Sequence, residues 1–96
     1  MATFITLVNF TDQGIKNVKE SPARLESFKA LVEAQGGTLK CAYYTQGGYD
    51  MVVVVEGNEA AVMTGNLQVG SLGNVRTQTL RGFSVDEMKG FISNMP

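Results

Sequence analysis

One short motif brings together the side chains best suited to chemistry in this sequence. Gly47 and Gly48 precede Tyr49, which offers a hydroxyl, and Asp50, which offers a carboxylate. At the mouth of a pocket, these two side chains could bind a ligand or move a proton. The simpler interpretation is a turn, in which the glycines shape the backbone and the Asp side chain bonds to a backbone group. Both interpretations stay open at the level of sequence.

A second candidate lies in residues 74–79, which are unusually polar for a strand. Because side chains alternate between the faces of a strand, Asn74, Arg76 and Gln78 share one face. That row could line a cavity, where Arg76 would hold a carboxylate or enolate and Gln78 would orient it. The alternative is an edge strand that its polar side chains protect against aggregation.

Two further residues could contribute to such a site. Arg24 lies near the start of a predicted helix, where the helix dipole disfavours a cation. It could form a structural ion pair with Glu20, which is the simpler role, or reach over the sheet to Asp50. Asn9 ends the first predicted strand and could line the same cavity or cap a neighbouring helix.

The composition excludes several kinds of chemistry. The chain has no His and one Cys, so it cannot form a Ser-His-Asp triad, a His-ligated zinc site or a haem site with a proximal His. Cys41 has no His to act as its base, so we expect a small buried residue and not a nucleophile. No metal site and no cofactor are expected.

Charge and hydropathy narrow the class of protein. The net charge is −1, whereas a nucleic-acid binder normally has a basic surface, so we expect no nucleic-acid partner. No secretory signal is visible, one Cys cannot form an internal disulfide, and no apolar run approaches the ~20 residues that span a membrane. The sequence therefore predicts a cytoplasmic protein without a membrane partner. Its length of 96 residues fits one domain, residues 1–96.

Glycine-rich turns separate the elements that must position these residues. Runs of β-branched and aromatic residues predict four strands, over residues 3–10, 38–45, 50–56 and 74–83. Helical spacing of apolar residues predicts a helix after the first strand, a second to about residue 71, and a short one at the C-terminus. The predicted N-caps are Thr11, Ser21 (where Pro22 restarts the first helix), Asn58 and Ser84.

The order β-α-β-β-α-β plus a terminal helix is the ferredoxin-like, split-βαβ pattern of the α+β class, with an antiparallel sheet. Two helices cover one face of such a sheet, yet the first and third strands are apolar on both faces. A second copy of the chain is the simplest cover, which predicts a dimeric α+β barrel and a homodimer or higher even-numbered oligomer. Of the adjacent Tyr43 and Tyr44, one side chain is expected in the core and the other in the dimer interface. The methionines expected to fill the core are Met51, Met63, Met88 and Met95.

Around Gly48-Tyr49-Asp50 the chain resembles the GYD-domain family. The resemblance extends from about residue 3 to residue 83, and the helix after Phe83 looks less typical of the family. The segments that carry it are, in order, 11–17, 21–24, 36–37, 47–50 and 73–80. The resemblance implies a ferredoxin-like dimeric α+β barrel. It implies no catalytic residue, because the function of the family is unassigned.

Three functions fit these residues. The first is a binding module for a small anionic or aromatic ligand. The second is a small cofactor-free enzyme, similar to an isomerase or oxygenase, in which Asp50 or Tyr49 would do the acid–base work and Arg76 would stabilise an anion. The third is a purely structural assembly unit. Binding ranks first because the chain has few titratable groups. The candidate ligand-binding residues are Tyr49, Asp50, Arg76, Asn9, Arg24 and Gln78.

Overall fold

The computed structural model describes residues 1–96 and contains one four-stranded antiparallel sheet. In spatial order the strands run β2-β3-β1-β4, which is the ferredoxin-like arrangement. The predicted α+β fold is therefore confirmed, and the predicted strand bounds are correct to within about one residue. The strands are β1 (Ala2–Phe10), β2 (Thr38–Tyr44), β3 (Met51–Gly57) and β4 (Val75–Gly82).

The two central strands carry the apolar residues that predicted them. β1 pairs with β3 on one side and with β4 on the other, so Thr6 lies between Val53 and Thr79. Successive residues of β1 and β3 alternate between buried and half-buried. Phe4 and Val53 belong to the buried set, which packs beneath two helices.

The helices are α1 (Asp12–Lys16), α2 (Ser21–Ala34), α3 (Glu59–Ser71) and α4 (Val85–Ser93), with a 3-10 turn over Val18–Glu20 before α2. Three predicted N-caps are confirmed, because the side chains of Thr11, Asn58 and Ser84 each accept a backbone N–H of the first helical turn. The cap at Ser21 was predicted wrongly. Ser21 is the first residue of α2, and its hydroxyl lies 2.8 Å from the Tyr44 hydroxyl.

Helices α2 and α3 pack on one face of the sheet and touch each other where Gly65 meets Phe28. A Cβ added at Gly65 would lie 3.1 Å from the Phe28 ring, so the glycine gives the two helices their close approach. Gly65 in mid-helix lowers helix propensity, and the contact explains why the chain has it there. The buried apolar core below the helices comprises Phe4, Val8, Val32, Met51, Val53, Val55 and Val62.

The opposite face of the sheet is apolar and half-buried at best. We call it the open face, and it carries Ile5, Leu7, Val52, Val54 and Leu80. The first four are partly shielded by their neighbours within the sheet, and Leu80 on the edge strand is exposed. The prediction that the central strands are apolar on both faces is confirmed. What covers this second face in an assembly stays a prediction.

Several single residues differ from expectation. Tyr43 and Tyr44 are 64% and 49% exposed, so neither belongs to the core. Cys41 is half-buried rather than buried, because β2 is an edge strand with a register shift next to that residue. Met51 fills the core as predicted, whereas the other three methionines are exposed: Met63, Met88 and Met95. Among the helices, none has the length and apolar character needed to cross a membrane.

Candidate functional site

Four of the six predicted site residues meet at one corner of the open face. Asn9 on β1 is the cross-strand partner of Arg76 on β4, and Gln78 lies two residues further along the same face. The Tyr49 hydroxyl donates a hydrogen bond of 2.9 Å to the Gln78 side-chain oxygen. We call these four residues the Arg76 corner. The face of β4 that the sequence left undecided is thus defined: Arg76 and Gln78 point away from the helices.

Tyr49 reaches this corner from the β2–β3 turn. Since β1 lies between β3 and β4, its side chain must cross β1 to reach Gln78. The turn itself is held by the Thr45 hydroxyl, which donates to the Tyr49 carbonyl at 2.5 Å. Gly47 adopts a φ of +109°, a conformation that other residues rarely adopt. The turn interpretation of the glycines is confirmed, and the same turn delivers Tyr49 to the open face.

The Arg76 guanidinium has no protein partner. The ion pairs of the structure use Arg24, Lys40 and Arg81 instead, and Arg76 donates no side-chain hydrogen bond. Its strand is at the sheet edge, as the alternative interpretation of this segment predicted. An exposed guanidinium beside an amide and a phenol can receive a carboxylate in a planar, two-point contact.

Asp50 is next to Tyr49 in the sequence, but its side chain and backbone form hydrogen bonds to the backbone of neighbouring residues. Its carboxylate accepts the Phe10 N–H at 2.9 Å, and its own N–H donates to the Val8 carbonyl at 2.8 Å. Its carbonyl accepts the Thr45 N–H at 2.9 Å. The predicted side-chain bond to the backbone is confirmed, and the carboxylate extends the pairing of β1 beyond Met51, the first residue of β3.

Arg24 lies on the helix side of the sheet, away from the Arg76 corner. Its guanidinium is 3.3 Å from the Glu20 carboxylate and donates to the Asn17 carbonyl at 3.1 Å. The predicted ion pair with Glu20 is confirmed, and the alternative contact with Asp50 is absent. The six candidate residues therefore do not form one site. The sheet separates Arg24 from the Arg76 corner, and the Asp50 carboxylate is bound to the backbone of β1.

A cleft lies between α2, α3 and the sheet, and of the six candidate residues it contains only Arg24. Its volume is about 350 Å³. Apolar side chains of both helices line it, among them Phe28 and Val69, and Arg24 is part of the lining. The available signal in the sequence was Gly65, because a glycine in the interior of a helix often has a packing reason.

The C-terminal helix α4 exposes its apolar side chains. Arg81 contacts the N-terminal end of this helix. Its guanidinium stacks 4.3 Å from the Phe83 ring centre and lies 4.0 Å from the Glu87 carboxylate. Phe83 in turn meets Phe91 edge to face at 5.2 Å. The remaining stripe is between 49% and 74% exposed and consists of Val85, Met88, Phe91, Ile92 and Met95.

Glu87 completes the capping box that starts α4. It accepts the Ser84 N–H at 3.0 Å, and the Ser84 hydroxyl accepts the Glu87 N–H at 3.0 Å. The bond from the Ser84 backbone, aided by the Ser84 hydroxyl and the charge of Arg81, holds the pKa of Glu87 below its ordinary value. No group of three or more His, Cys, Asp or Glu side chains is placed to hold a metal ion.

Two segments that carried the family resemblance contact each other at the end of the sheet. The Thr11 hydroxyl donates to the Gly73 carbonyl at 2.6 Å. The Gln13 amide donates to the Leu72 carbonyl and to the Asn74 side chain, at 3.0 Å each. These motif residues hold the loop before β4 against the start of α1, so their role in the structure is architectural.

The GYD-domain family model matches residues 4–92. The chain belongs to the GYD-domain family. Because the match includes most of α4, the expectation that the C-terminal helix is untypical of the family was wrong. The match extends along α4 as far as residue 92.

A curated relative from Thermus thermophilus is 36% identical over 90 residues, which cover 92% of this chain and 95% of the relative. It is named "Glutamine synthetase and cystathionine beta-lyase binding protein". The crystal structure of the protein FFRP-DM1 shares the fold at 20% identity, with a TM-score of 0.56 over 86% of this chain and all of that one. A second solved structure, of a Thermus thermophilus protein, gives a TM-score of 0.49 at 20% identity, over 88% of this chain and 96% of that one.

Proposed function

We propose that this chain is a binding protein that docks to other proteins, and that α4 is the element that docks. The relative that covers nearly the whole chain is named for binding two enzymes, glutamine synthetase and cystathionine beta-lyase. The observation that carries the proposal is the exposed apolar stripe of α4, defined above. The partners proposed for this chain are enzymes of the same two kinds.

The stripe has the spacing of a helix that lies in a groove of its partner. Met88, Phe91, Ile92 and Met95 recur at i, i+3, i+4 and i+7, so they follow one side of the helix. Burying one such side chain completely is worth about 1.5–3 kcal/mol. Met and aromatic residues are also enriched at the centres of protein interfaces. In the free chain these side chains are still 49% to 68% exposed, so a partner with an apolar groove would gain the rest of this energy.

The proposal includes self-association through the open face. Ile5, Leu7, Val52 and Val54 form a continuous apolar surface on neighbouring strands, with no helix over it. Surfaces of this kind on a small protein usually mark an interface. Two copies joined face to face would bury it and leave α4 of each copy free for a partner. The expected form is a homodimer or a higher even-numbered oligomer, in the cytoplasm as the sequence predicts.

A second candidate function is the binding of a small anionic or aromatic ligand at the Arg76 corner. The observation that favours it is the unpaired guanidinium of Arg76 beside Gln78, whose side chain is held in place by Tyr49. Asn9 completes the corner from β1. A carboxylate is the group that this arrangement fits best.

The enzyme alternative has weaker support at this corner. Its proposed acid–base groups were Asp50, whose carboxylate accepts a backbone N–H, and Tyr49, whose hydroxyl donates to Gln78. A purely structural assembly unit is the alternative that an experiment must separate from a binding protein.

The test measures binding to immobilised glutamine synthetase and cystathionine beta-lyase from the same organism by biolayer interferometry. The wild-type chain is expected to bind at least one of them. The variant Met88→Ser/Ile92→Ser should weaken binding at least tenfold, because it removes two central side chains of the stripe. The matched control is Asp86→Ser/Lys89→Ser, which changes two polar residues of the same helix and should bind as the wild type does.

Native mass spectrometry of each variant accompanies the binding measurement. An unchanged even-numbered assembly in Met88→Ser/Ile92→Ser would show that the loss of binding comes from α4 and not from dissociation. A wild-type assembly that binds neither enzyme would overturn the proposal in favour of a structural unit. Equal binding by both double variants would remove α4 from the docking surface.

A further inference from the structure

We infer that the cleft between α2, α3 and the sheet is a binding site for a small apolar monocarboxylic acid, with its carboxylate towards Arg24. The cleft lies on the helix side of the sheet, so it is separate from the open face and from the Arg76 corner. The inference does not depend on docking through α4. Its volume of about 350 Å³ lies in the lower part of the range typical of ligand pockets.

The cleft arises from uneven packing of the two helices. At one end, Val32 of α2 and Val62 of α3 are buried in the core. The helices touch at Phe28 and Gly65, near the middle of both. Beyond that contact they enclose the cleft instead of a core, between the first half of α2 and the last half of α3. Leu72, at the end of α3, lines the cleft and is largely exposed.

The floor and walls present apolar side chains that the protein itself does not cover fully. Met51 and Val53 form a buried floor from β3. Around them, five lining side chains are only half-buried: Leu25, Phe28, Leu31, Val69 and Val75. An apolar molecule in the cleft would remove these groups from water, at about 25 cal/mol for each Å² of apolar surface buried.

The polar residues of the lining indicate which polar group a bound ligand would carry. Arg24 is the only charged residue in the lining, and no acidic residue faces the cleft. Thr77 makes no side-chain hydrogen bond, and Asn74 accepts from Gln13 through its oxygen, which leaves its N–H groups free to donate. One cation and spare donors suit a carboxylate better than an amine. Arg24 donates one N–H to Glu20 and one to the Asn17 carbonyl, which both lie outside the lining. The other N–H groups of the guanidinium make no hydrogen bond within the chain and are available to a ligand.

The experiment is an NMR titration of the ¹⁵N-labelled full chain with octanoate, and in parallel with 1-octanol. Octanoate should cause saturable shifts at residues of α2 and α3 around the cleft. Val69→Trp, which fills the cleft, should weaken octanoate binding at least tenfold. The matched control is Leu67→Trp on the outer side of α3, where the side chain is 65% exposed and does not line the cleft; it should bind as the wild type does.

Two further variants keep the inference open to disproof. If Val69→Trp loses its native spectrum, Leu72→Trp gives the same test from an exposed position at the cleft. Arg24→Gln should weaken octanoate binding at least fivefold and leave 1-octanol binding unchanged. Equal affinity of the wild type for the acid and the alcohol would overturn the carboxylate assignment. No saturable shift with either compound, or shifts confined to the open face, would overturn the site itself.

Discussion

The carboxylate of Asp50 accepts the Phe10 N–H at 2.9 Å, beyond the last pair of the β1–β3 ladder. The tripeptide that names the family thus contributes its acidic group to the end of a strand. Tyr49, the residue before it, leaves the backbone on the side of the open face and bonds to Gln78. Asp50 thus completes the hydrogen bonding at the end of the β1–β3 ladder, and the side chain of Tyr49 forms part of the open face.

The hydrogen bond between Asp50 and Phe10 predicts that substitutions of Asp50 lower the stability of the fold. Asp50→Ala leaves the Phe10 N–H without its acceptor and should lower the free energy of unfolding by about 1–3 kcal/mol. Asp50→Asn retains a side-chain oxygen and should cost less than the alanine variant. Urea unfolding at equal protein concentrations measures both. An alanine variant as stable as the wild type would show that the bond contributes nothing to the fold.

The contact between Gly14 and Asn74 predicts a second, larger effect. A Cβ at Gly14 would lie 1.9 Å from the Asn74 carbonyl oxygen, so α1 would have to move away from the loop before β4. Gly14→Ala should destabilise the chain by several kcal/mol, because the new methyl group would meet backbone, which cannot shift cheaply. Gly90→Ala in α4 is the control, since its Cβ would meet nothing within 4 Å. It should be stabilising by about 0.5–1 kcal/mol. Thermal unfolding monitored by circular dichroism separates the two outcomes.

The open face predicts the effect of a charge placed at its centre. Val54 on β3 lies beside Ile5 on β1 and Cys41 on β2. Val54→Lys should break the predicted even-numbered assembly into monomers, because a face-to-face pair would bury the new ammonium groups against each other. Glu26→Lys on the exposed surface of α2 changes the charge more and should leave the assembly intact. Native mass spectrometry reads the oligomeric state directly. A monomeric wild type would contradict the predicted assembly before any variant is made.

The fold could be predicted from the sequence because its signals are local. The β-branched runs of β1 and β3, the caps at Thr11, Asn58 and Ser84, and the glycine-rich turns each depend on a few neighbouring residues. Because these signals agree with one another, the order of helices and strands can be predicted from the sequence. Ser21 shows the limit of a local rule: its hydroxyl is taken by Tyr44, which is 23 residues away.

The candidate site was less predictable because it depends on which face of the sheet each side chain occupies. Alternation along β4 groups Arg76 with Gln78, but only the pairing with β1 shows that this row lies on the open face. Arg24 and Arg76 are both cations near polar residues in the sequence, yet the sheet separates them. The methionines of α4 have the spacing of core residues. A helical pattern shows that a face is apolar, but not whether that face packs against the same chain or against another molecule.

The Arg76 corner predicts selective binding of a small carboxylate. Benzoate added to the ¹⁵N-labelled chain should shift the signals of Asn9, Arg76 and Gln78, because the guanidinium is exposed and unpaired. Arg76→Gln should abolish these shifts and leave the assembly unchanged, whereas Lys19→Gln removes an exposed cation elsewhere and should have no effect. Benzyl alcohol tests the charge requirement and should shift the corner less. If Arg76→Gln dissociates the assembly, Arg76 is an interface residue and the corner is not a ligand site.

The capping box of α4 predicts a dependence on pH with a defined sign. The pKa of Glu87 is held below its ordinary value, first by the bond from the Ser84 backbone. The carboxylate therefore supports the start of α4 above the ordinary pKa of a glutamate, and that support is lost as the pH falls through the lowered pKa of the folded state. A ¹³C titration of the Glu87 carboxyl should give a midpoint below the ordinary value. Ser84→Ala removes the hydroxyl of the box and should move this midpoint upward, and an unchanged midpoint would assign the shift to Arg81 and the backbone bond alone.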